Sequence, residues 1–401
     1  MSVLIICEKP SVAKTVALAL GAMEQKDGYL SGDGLLVSWC IGHLISMADA
    51  GSYDERYKKW RYEDLPILPQ AWKYAPTPGK EKQLAVLKEL LHRSDVSEVV
   101  NGCDAGREGE LIFRFVYEQA GCTKPFSRLW ISSMEDSAIR EGFAGRRAGT
   151  EYDALYQSAL CRARADWLVG INATRLFSVL YHKTLNVGRV LSPTLNLLVE
   201  RDGKITMFHK EKYHIVHIGC GGVDAESERI SDAAAADALR TACEASQAVC
   251  VSLKKEKKTA LPPKLFDLTC LQREANRVYG FTAKQTLDYA QSLYEKRFLT
   301  YPRTDSNYLT EDMAQTATDL VAALLPVLPF MQGAELTPEI GRVINSAKVS
   351  DHHAIIPTAA FAGNGFDRLP ESEKKLMSLV CCKLLCAVAA PHVYEAVTAT
   401  F

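Results

Sequence analysis

The sequence predicts a multidomain chain, α/β at its start and mainly α beyond. Three observations carry that expectation. Over about the first 140 residues, strand-like and helix-like runs alternate. From Glu151 to about Glu200, and again from Leu265 to about Ala390, the chain reads as nearly continuous helix. Its 401 residues exceed a single common domain and suffice for two to four.

The elements follow in order. "VLIICE" is a short apolar run of buried-strand type. "SVAKTVALALG" reads as a helix, with Ser11 placed to cap its start and Gly21 to end it. "GLLVSWCIGHL" is a second strand region, and "GKEKQLAVLKELLHR" spaces its apolar residues as a helix does. "SEVVNGCDAGREGE" is a strand running into a loop, "LIFRFVYEQAG" the helix after it, and "FSRLWISS" one more strand. This alternation predicts a mostly parallel sheet covered by helices. The next helical stretch centres on "YDALYQSALCRARADWLVGINATRLFSVLY". Strands are expected from about Tyr213 to Cys220 and from Ala248 to Lys255, on either side of the alanine-rich helix "SDAAAADALRTACEAS". "KKEKKTALPP" reads as a solvated charged linker. The final "HVYEAVTATF" alternates like a strand and stops without cap or turn, which suggests a chain cut from something longer.

Composition bounds the function. Hydrophobic residues make up 47% and charged residues 24%, ordinary for a globular protein. The net charge is −1, so a nucleic-acid partner would be held by local basic patches, not by the field of the whole molecule. "SVLIICEKP" is too short, and too soon interrupted by Glu8 and Lys9, to be a signal peptide. No stretch approaches the roughly 18 apolar residues of a membrane span, so a cytoplasmic protein with no membrane partner is expected. The twelve cysteines form no CxxC pair, which argues against a zinc site and a disulfide framework and for reduced thiols, most of them buried.

Two stretches carry chemistry. Glu8 ends the first strand, and "DAGREGE", from Asp104 to Glu110, follows another. Ligands of open α/β sheets bind at the carboxyl ends of strands. If these two strands are neighbours, Glu8, Asp104, Glu108 and Glu110 converge as hard oxygen donors that suit Mg²⁺. Acids decorating a helix N-terminus, favoured by its dipole, account for the same residues equally well. The second stretch is "FLTYPRTDSNYL", which sets Tyr301 directly before Pro302 and two residues before Arg303. Alone it leaves open a structural loop tyrosine.

"EKPSVAK" and "DAGREGELIF" resemble the Toprim domain of type IA DNA topoisomerases, closest to the topoisomerase III branch. "DWLVGINATR", "VGRVLSPTL", "LPPKLFDLTCLQREA", "LTYPRTDS" and "SDHHAIIPT" follow in the order that family uses, so the resemblance covers essentially the whole chain. It implies a Rossmann-like Toprim domain over residues 1–150 and the first part of a helical DNA-binding domain over 151–212. A β-rich arch segment would follow over 213–262, then a winged-helix-like domain with the nucleophile over 263–395, and the start of a return into the arch over 396–401. The implied activity is Mg²⁺-dependent transient cleavage of single-stranded DNA through a 5′-phosphotyrosyl link, strand passage and religation, acting on negatively supercoiled or catenated DNA. Resealing would need no ATP, and the chain has no GxxxxGK[ST] loop.

The resemblance also assigns roles. Tyr301 would be the nucleophile, and Arg303 would hold the scissile phosphate. Lys9 would hold that phosphate or protonate the leaving oxygen, and Glu8 would act as acid or metal ligand. His352 would be the active-site member of the pair it forms with His353. Glu8 and Asp104 would hold Mg²⁺ with help from Glu108. Gly106 stands where many relatives have a second aspartate, which implies one ion, not two. Arg162, Arg164 and Arg175 would contact DNA, with Asp166 orienting. The loop of Asn186, Val187, Gly188, Arg189, Val190 and Leu191 would touch the single strand, Leu191 replacing a usual glutamine. Trp60, Trp72 and Trp130 could stack on bases, though core packing is the commoner use. Two rival readings remain: another Toprim enzyme such as a primase or nuclease, which has no use for Tyr301, and a non-catalytic single-strand-binding module.

Overall fold

The computed structural model describes residues 1–131, 134, 136–331, 336–349 and 352–401, without the side chains of Cys220, Phe330 and Asn364. Ser132 and Ser133 of the expected strand "FSRLWISS", and Ser350 and Asp351 of "SDHHAIIPT", lie outside these. The chain forms two compact units, Met1–Arg189 with Pro263–Ala389, and Val190–Pro262 with Ala390–Phe401.

The first unit opens with β1 (Ser2–Cys7) and α1 (Pro10–Leu20). The strands β2 (Glu24–Lys26), β3 (Tyr29–Gly32) and β4 (Leu35–Trp39) form a meander, and β5 (Ile45–Met47) pairs with β6 (Tyr74–Pro76). Then come α2 (Glu81–His92), β7 (Val96–Gly102), α3 (Arg107–Gln119), β8 (Phe126–Arg128), α4 (Asp136–Ala144), β9 (Arg147–Ala148) and α5 (Asp153–Leu180). Among the described residues the main sheet runs β2-β3-β4-β1-β7-β8-β9. Its four central strands are parallel and its edges antiparallel.

The reason for this layering is visible in β1. Leu4 and Ile6 enter one core with leucines of α2 and the apolar face of α3, while Ile5 and Cys7 enter the other with α1 and Ile139 of α4. A strand covered on both faces is apolar throughout, which is why "VLIIC" shows no alternation. From β1 the chain crosses toward β4, and from β7 it crosses toward β8. The carboxyl ends of β1 and β7 therefore flank a switch point, the crevice where such sheets bind ligands. Cys7 pairs with Gly102, so Glu8 and Asp104 leave adjoining strand ends.

α1 is capped two residues earlier than expected. Pro10 occupies its first turn and Lys9 is the N-cap, so Ser11 lies inside the helix. Proline's fixed φ suits that position and its missing N–H costs nothing there. Gly21 ends the helix at φ +90° as expected. Not all the cysteines are buried: Cys382 and Cys386 are exposed, while Cys381 beside them is buried.

The second helical layer of this unit comprises α8 (Leu268–Tyr279), α9 (Ala283–Glu295), α10 (Ala314–Leu324), α11 (Ala359–Asn364) and α12 (Glu371–Val388). Asp267 caps α8 through the Cys270 N–H, and Thr282 with Gln285 forms a reciprocal capping box on α9. Their apolar faces make one core with Leu265, Phe266, Leu299 and Ile355.

The second unit holds α6 (Leu191–Thr206), the hairpin β10 (His217–Cys220) and β11 (Val223–Glu226), α7 (Ala233–Ala245), and β12 (Ser252–Ala260) paired antiparallel with β13 (His392–Thr400). It begins at Val190, ahead of residue 213, where the arch segment was expected. "KKEKKTA" is strand, not linker: it forms most of β12, in register from Ser252 opposite Thr400 to Ala260 opposite His392. Both faces of this ribbon are largely exposed, so the alternation that marks a half-buried strand is absent, while Lys255 pairs with Glu395 at 3.3 Å.

Under the switch point lies a buried polar network. Glu110, in the first turns of α3, is 1% exposed and accepts from Asn101 Nδ2 at 2.9 Å. Arg128 Nε lies 2.7 Å from Glu110 Oε1, and Arg114 Nε lies 3.3 Å from Oε2. Glu110 is thus a structural counter-ion and does not join the acids at the strand ends, as the sequence allowed. Removing one partner of such a group leaves the other buried and unpaired. Glu110→Gln is predicted to destabilise the protein by about 3–5 kcal/mol, measured by urea unfolding. A loss below about 1 kcal/mol would mean that Arg128 is held by its backbone carbonyls alone.

Candidate active site

Asp104 is fixed from below. Arg128, at the end of β8, donates to the carbonyls of Asn101 (3.0 Å), Cys103 (2.7 Å), Leu129 (3.0 Å) and Asp104 (2.7 Å). Asn101 Oδ1 accepts from the Cys103 N–H at 3.0 Å. The loop also presses onto α3: a Cβ on Gly109 would stand 2.0 Å from the Asp104 carbonyl oxygen, so only glycine fits. Glu8 is placed by strand register and by the Gly42 N–H on its carbonyl at 3.3 Å.

Between the two carboxylates stands Lys9. Its Nζ is 3.6 Å from Asp104 Oδ2 and 3.9 Å from Glu8 Oε1. Burial and the Asp104 charge push the Glu8 carboxyl up to about 7, against the opposing pull of Lys9. Two carboxylates with one ammonium between them keep an excess of negative charge in a half-buried place. That donor set fits a hard divalent cation such as Mg²⁺. Glu108 is paired elsewhere: His43 Nε2 lies 2.6 Å from Glu108 Oε1, and this contact holds the Glu108 carboxyl below its ordinary range. Among the described residues, no three His, Cys, Asp or Glu side chains gather in a metal-holding array.

Tyr301 comes to the same strand ends from the helical layer. Its hydroxyl donates to Asp104 Oδ2 at 2.9 Å, across 197 residues of chain. The ring is 8% exposed, packed on His352 at a centroid distance of 4.2 Å and edge-on to Tyr294 at 5.3 Å. Burial first, then the Asp104 charge, push the phenol well above its ordinary value, while Arg303 pulls it down. His352 is nearly buried, and burial lowers its imidazole to about 4, so it is neutral at pH 7. Its Nδ1 is buried without a partner. His353 Nδ1 lies 2.8 Å from the Ala354 carbonyl oxygen. A cavity of about 190 Å³ opens above these groups, lined by Asp104, Glu108, Arg162, Tyr301, Arg303 and His352. Arg303 and His352 also line a second cavity of about 650 Å³ with Asp267 and Thr304.

The other sequence-predicted residues divide. Arg162 reaches the cavity. Asp166 instead accepts from Arg189, at 2.9 Å from Nε and 3.3 Å from Nη2, so it orients Arg189. Arg164 lies against Trp72, 5.4 Å from the ring centre, and within 3.4 Å of the Tyr74 hydroxyl. Arg175 is buried, its guanidinium 5.5 Å over Trp60, and both line a cavity of about 670 Å³ with Asn186 and Thr174. Val187 donates from its N–H to Thr174 Oγ1 at 2.9 Å, fixing the loop that carries Gly188. Val190 and Leu191 belong to the second unit and are exposed. Trp72 packs edge-on to Trp167 and Trp130 stacks on Tyr152, both half-buried, whereas Trp60 is 43% exposed. Arg128 and His43 were not singled out from sequence. The histidine of "IGHL" follows a strand and falls under the same strand-end rule as Glu8.

A parallel switch-point sheet bearing two acids and a lysine, closed by a tyrosine from a separate helical layer, defines a Toprim protein with a tyrosine centre. The Toprim domain profile matches residues 3–134, and the DNA topoisomerase profile matches residues 150–401. DNA topoisomerase 3 of Bacillus licheniformis is 40% identical over 404 residues, and that of Bacillus subtilis is also 40% identical. DNA topoisomerase 3 of Bacillus cereus is 37% identical over 413 residues. Each match covers 98% of this chain and 55% of the relative, so the chain spans about half the length of the curated relatives it matches. The full-length topoisomerase I structure from Thermotoga maritima superposes with a TM-score of 0.72 at 25% identity, covering 99% of this chain and 62% of that one. The chain belongs to the DNA topoisomerase family.

The His352 environment predicts a pH effect. Its folded-state value lies below the unfolded 6.5, so its contribution to stability is full above pH 6.5 and is lost as pH falls toward about 4. The complete loss amounts to about 3 kcal/mol. Urea unfolding of the wild type and of His352→Gln between pH 7.5 and 4.5 should show a steeper acid decline for the wild type. Parallel curves would mean that the ring is solvated.

Proposed function

We propose that this chain carries the cleavage and rejoining centre of a type IA DNA topoisomerase of the topoisomerase III branch, acting on single-stranded regions of negatively supercoiled or catenated DNA. The observation that carries the reading is the Tyr301 hydroxyl 2.9 Å from Asp104 at the sheet's switch point. A Toprim primase or nuclease would use the acids but leaves that tyrosine without a role.

The residues divide the reaction. Arg303, Arg162 and Lys9 hold the non-bridging oxygens of the scissile phosphate. The neutral His352 packs on the phenol ring and keeps it in place. Asp104 Oδ2 takes the phenol proton as Tyr301 Oη bonds to phosphorus. The P–O3′ bond breaks, and the leaving oxygen takes a proton from Glu8, whose carboxyl near 7 is partly protonated at neutral pH. The products are a 5′-phosphotyrosyl chain and a free 3′-OH. Rejoining reverses each transfer, and the phosphotyrosyl bond supplies its energy, so no nucleotide is consumed. Glu8 and Asp104 would hold a Mg²⁺ ion, whose chemistry is to neutralise charge on phosphate oxygens.

The domains follow the same reading: Toprim over 1–150, helical DNA-binding residues over 151–212, a β-rich arch from 213–262 and 396–401, and a winged-helix-like tyrosine domain over 263–395. The pairing of β12 with β13 supports the arch, since it joins its two segments. Arg189, steered by Asp166, and the Trp60–Arg175 cavity are the single-strand contacts this reading uses. A cytoplasmic, nucleoid- or plasmid-associated location accords with it. Among the described residues, no helix is long and apolar enough to cross a membrane.

Tyr301→Phe is predicted to abolish the denaturation-resistant protein–DNA adduct on a single-stranded oligonucleotide while leaving affinity for that oligonucleotide within about twofold, because the ring still packs. Adduct formation by this variant would place the nucleophile elsewhere. For the metal, Asp104→Asn should raise the Mg²⁺ concentration required for rejoining, and Gly106→Asp should lower it by restoring a carboxylate. An unchanged Mg²⁺ dependence in Gly106→Asp would mean that position 106 does not reach the ion.

A further inference from the structure

We propose that the Asp136–Arg297 ion pair is a latch that seats Tyr301 on Asp104, which makes Arg297 a positioning residue; its bearing on cleavage rests on the reading of Tyr301 as the nucleophile. Arg297 Nη1 donates to Asp136 Oδ1 at 2.5 Å, across 161 residues of chain. Asp136 opens α4 on the sheet, and Arg297 follows α9 in the helical layer. Both belong to the same compact unit.

Arg297 is held in an unusual way. Its φ is +64°, a left-handed conformation that a non-glycine residue adopts only under constraint. The Thr358 hydroxyl donates to its carbonyl. From there to Tyr301 the backbone is stitched to a neighbouring segment. Thr358 N–H donates to the Phe298 carbonyl at 3.1 Å, Thr300 N–H to that of Ile356 at 3.0 Å, and Thr300 Oγ1 to that of Ala354 at 3.2 Å. Residues 297–301 therefore move as one piece with the layer that carries them. A pull at the Arg297 guanidinium is transmitted to the Tyr301 ring.

The two polar contacts differ in what the chemistry asks of them. The Tyr301–Asp104 bond is consumed when the phenol attacks phosphate. The Asp136–Arg297 pair touches no reacting atom and keeps the tyrosine aligned through that step. Its side chains are 25% and 46% exposed, so the pair is weak and screened by salt. That is the strength suited to a contact that must also release when the tyrosine layer carries its DNA end away for strand passage.

The test uses the full chain without DNA and measures nitration of Tyr301 by tetranitromethane at pH 8, quantified by mass spectrometry of its peptide. The reagent attacks the phenolate, which burial and Asp104 suppress while the latch is closed. Arg297→Gln and Asp136→Asn should each raise the Tyr301 rate about two- to five-fold. The double exchange Asp136→Lys with Arg297→Glu should return it near the wild-type rate. Nitration of the exposed Tyr181 should not change in any variant. Raising NaCl to about 0.5 M should speed the wild type toward the single variants. Unchanged single variants would overturn the latch, and so would a double exchange that nitrates as fast as the singles. A chain that nitrates in this latch-dependent way yet forms no DNA adduct through Tyr301 would keep the latch and sink only the nucleophile reading.

Discussion

Arg128 is the buried cation on which the site depends. Its guanidinium serves the carbonyls of Asn101, Cys103, Leu129 and Asp104 and faces Glu110. A charge this deep has little net value as stabilisation, since desolvation offsets much of the attraction. Its value is geometric. Three carbonyls at the end of β7 and one just after β8 converge here, and one planar donor ties them together. With that loop set, Asp104 has one position. β1 beside β7 then brings Glu8 to it, and Lys9 spans the two.

On this frame the resting site suppresses the reactivity that the proposed chemistry needs. Burial and Asp104 make Tyr301 a poorer acid, the same forces leave Glu8 partly protonated, and burial keeps His352 neutral. Each shift arises from desolvation without enough compensating charge. A phosphate entering between Arg303, Arg162 and Lys9 would alter that balance, and so would a cation at the two carboxylates. A tyrosine that cannot ionise alone is protected from reacting before its substrate is in place.

Much of the frame was legible in the sequence. "VLIIC" reads as a two-face-buried strand because it is one, and the strand-end rule brought Glu8 and Asp104 together before any geometry was known. Tyr301 became readable only through the order of the surrounding motifs, because nothing local separates "TYPRTDS" from an ordinary loop. What stayed hidden shares a cause. Arg128 and Glu110 are partners 18 positions apart on different elements, and no local pattern announces such a pair. Only the start of β12, Ser252–Lys255, reads as strand in the sequence; the rest resembles a linker because a ribbon exposed on both faces carries no burial period. The start of α1 was misjudged by two residues because Pro10 takes the first helical position, which makes Lys9 the cap instead of Ser11.

The two glycines of "DAGREGE" separate structure from chemistry. Gly109 is required by packing: any side chain there would strike the Asp104 carbonyl, the atom that Arg128 holds. Gly106 is different. Its φ of 165° is extended backbone open to any residue, and it serves only as the N-cap of α3. The backbone at position 106 therefore does not itself require glycine. Glu110 is committed to Arg128, and Glu108, though it lines the cavity, is paired with His43, which leaves Glu8 and Asp104 as the acids that share Lys9. On the proposed reading, two carboxylates against one lysine would suit a single cation shared with phosphate oxygens better than a pair of ions.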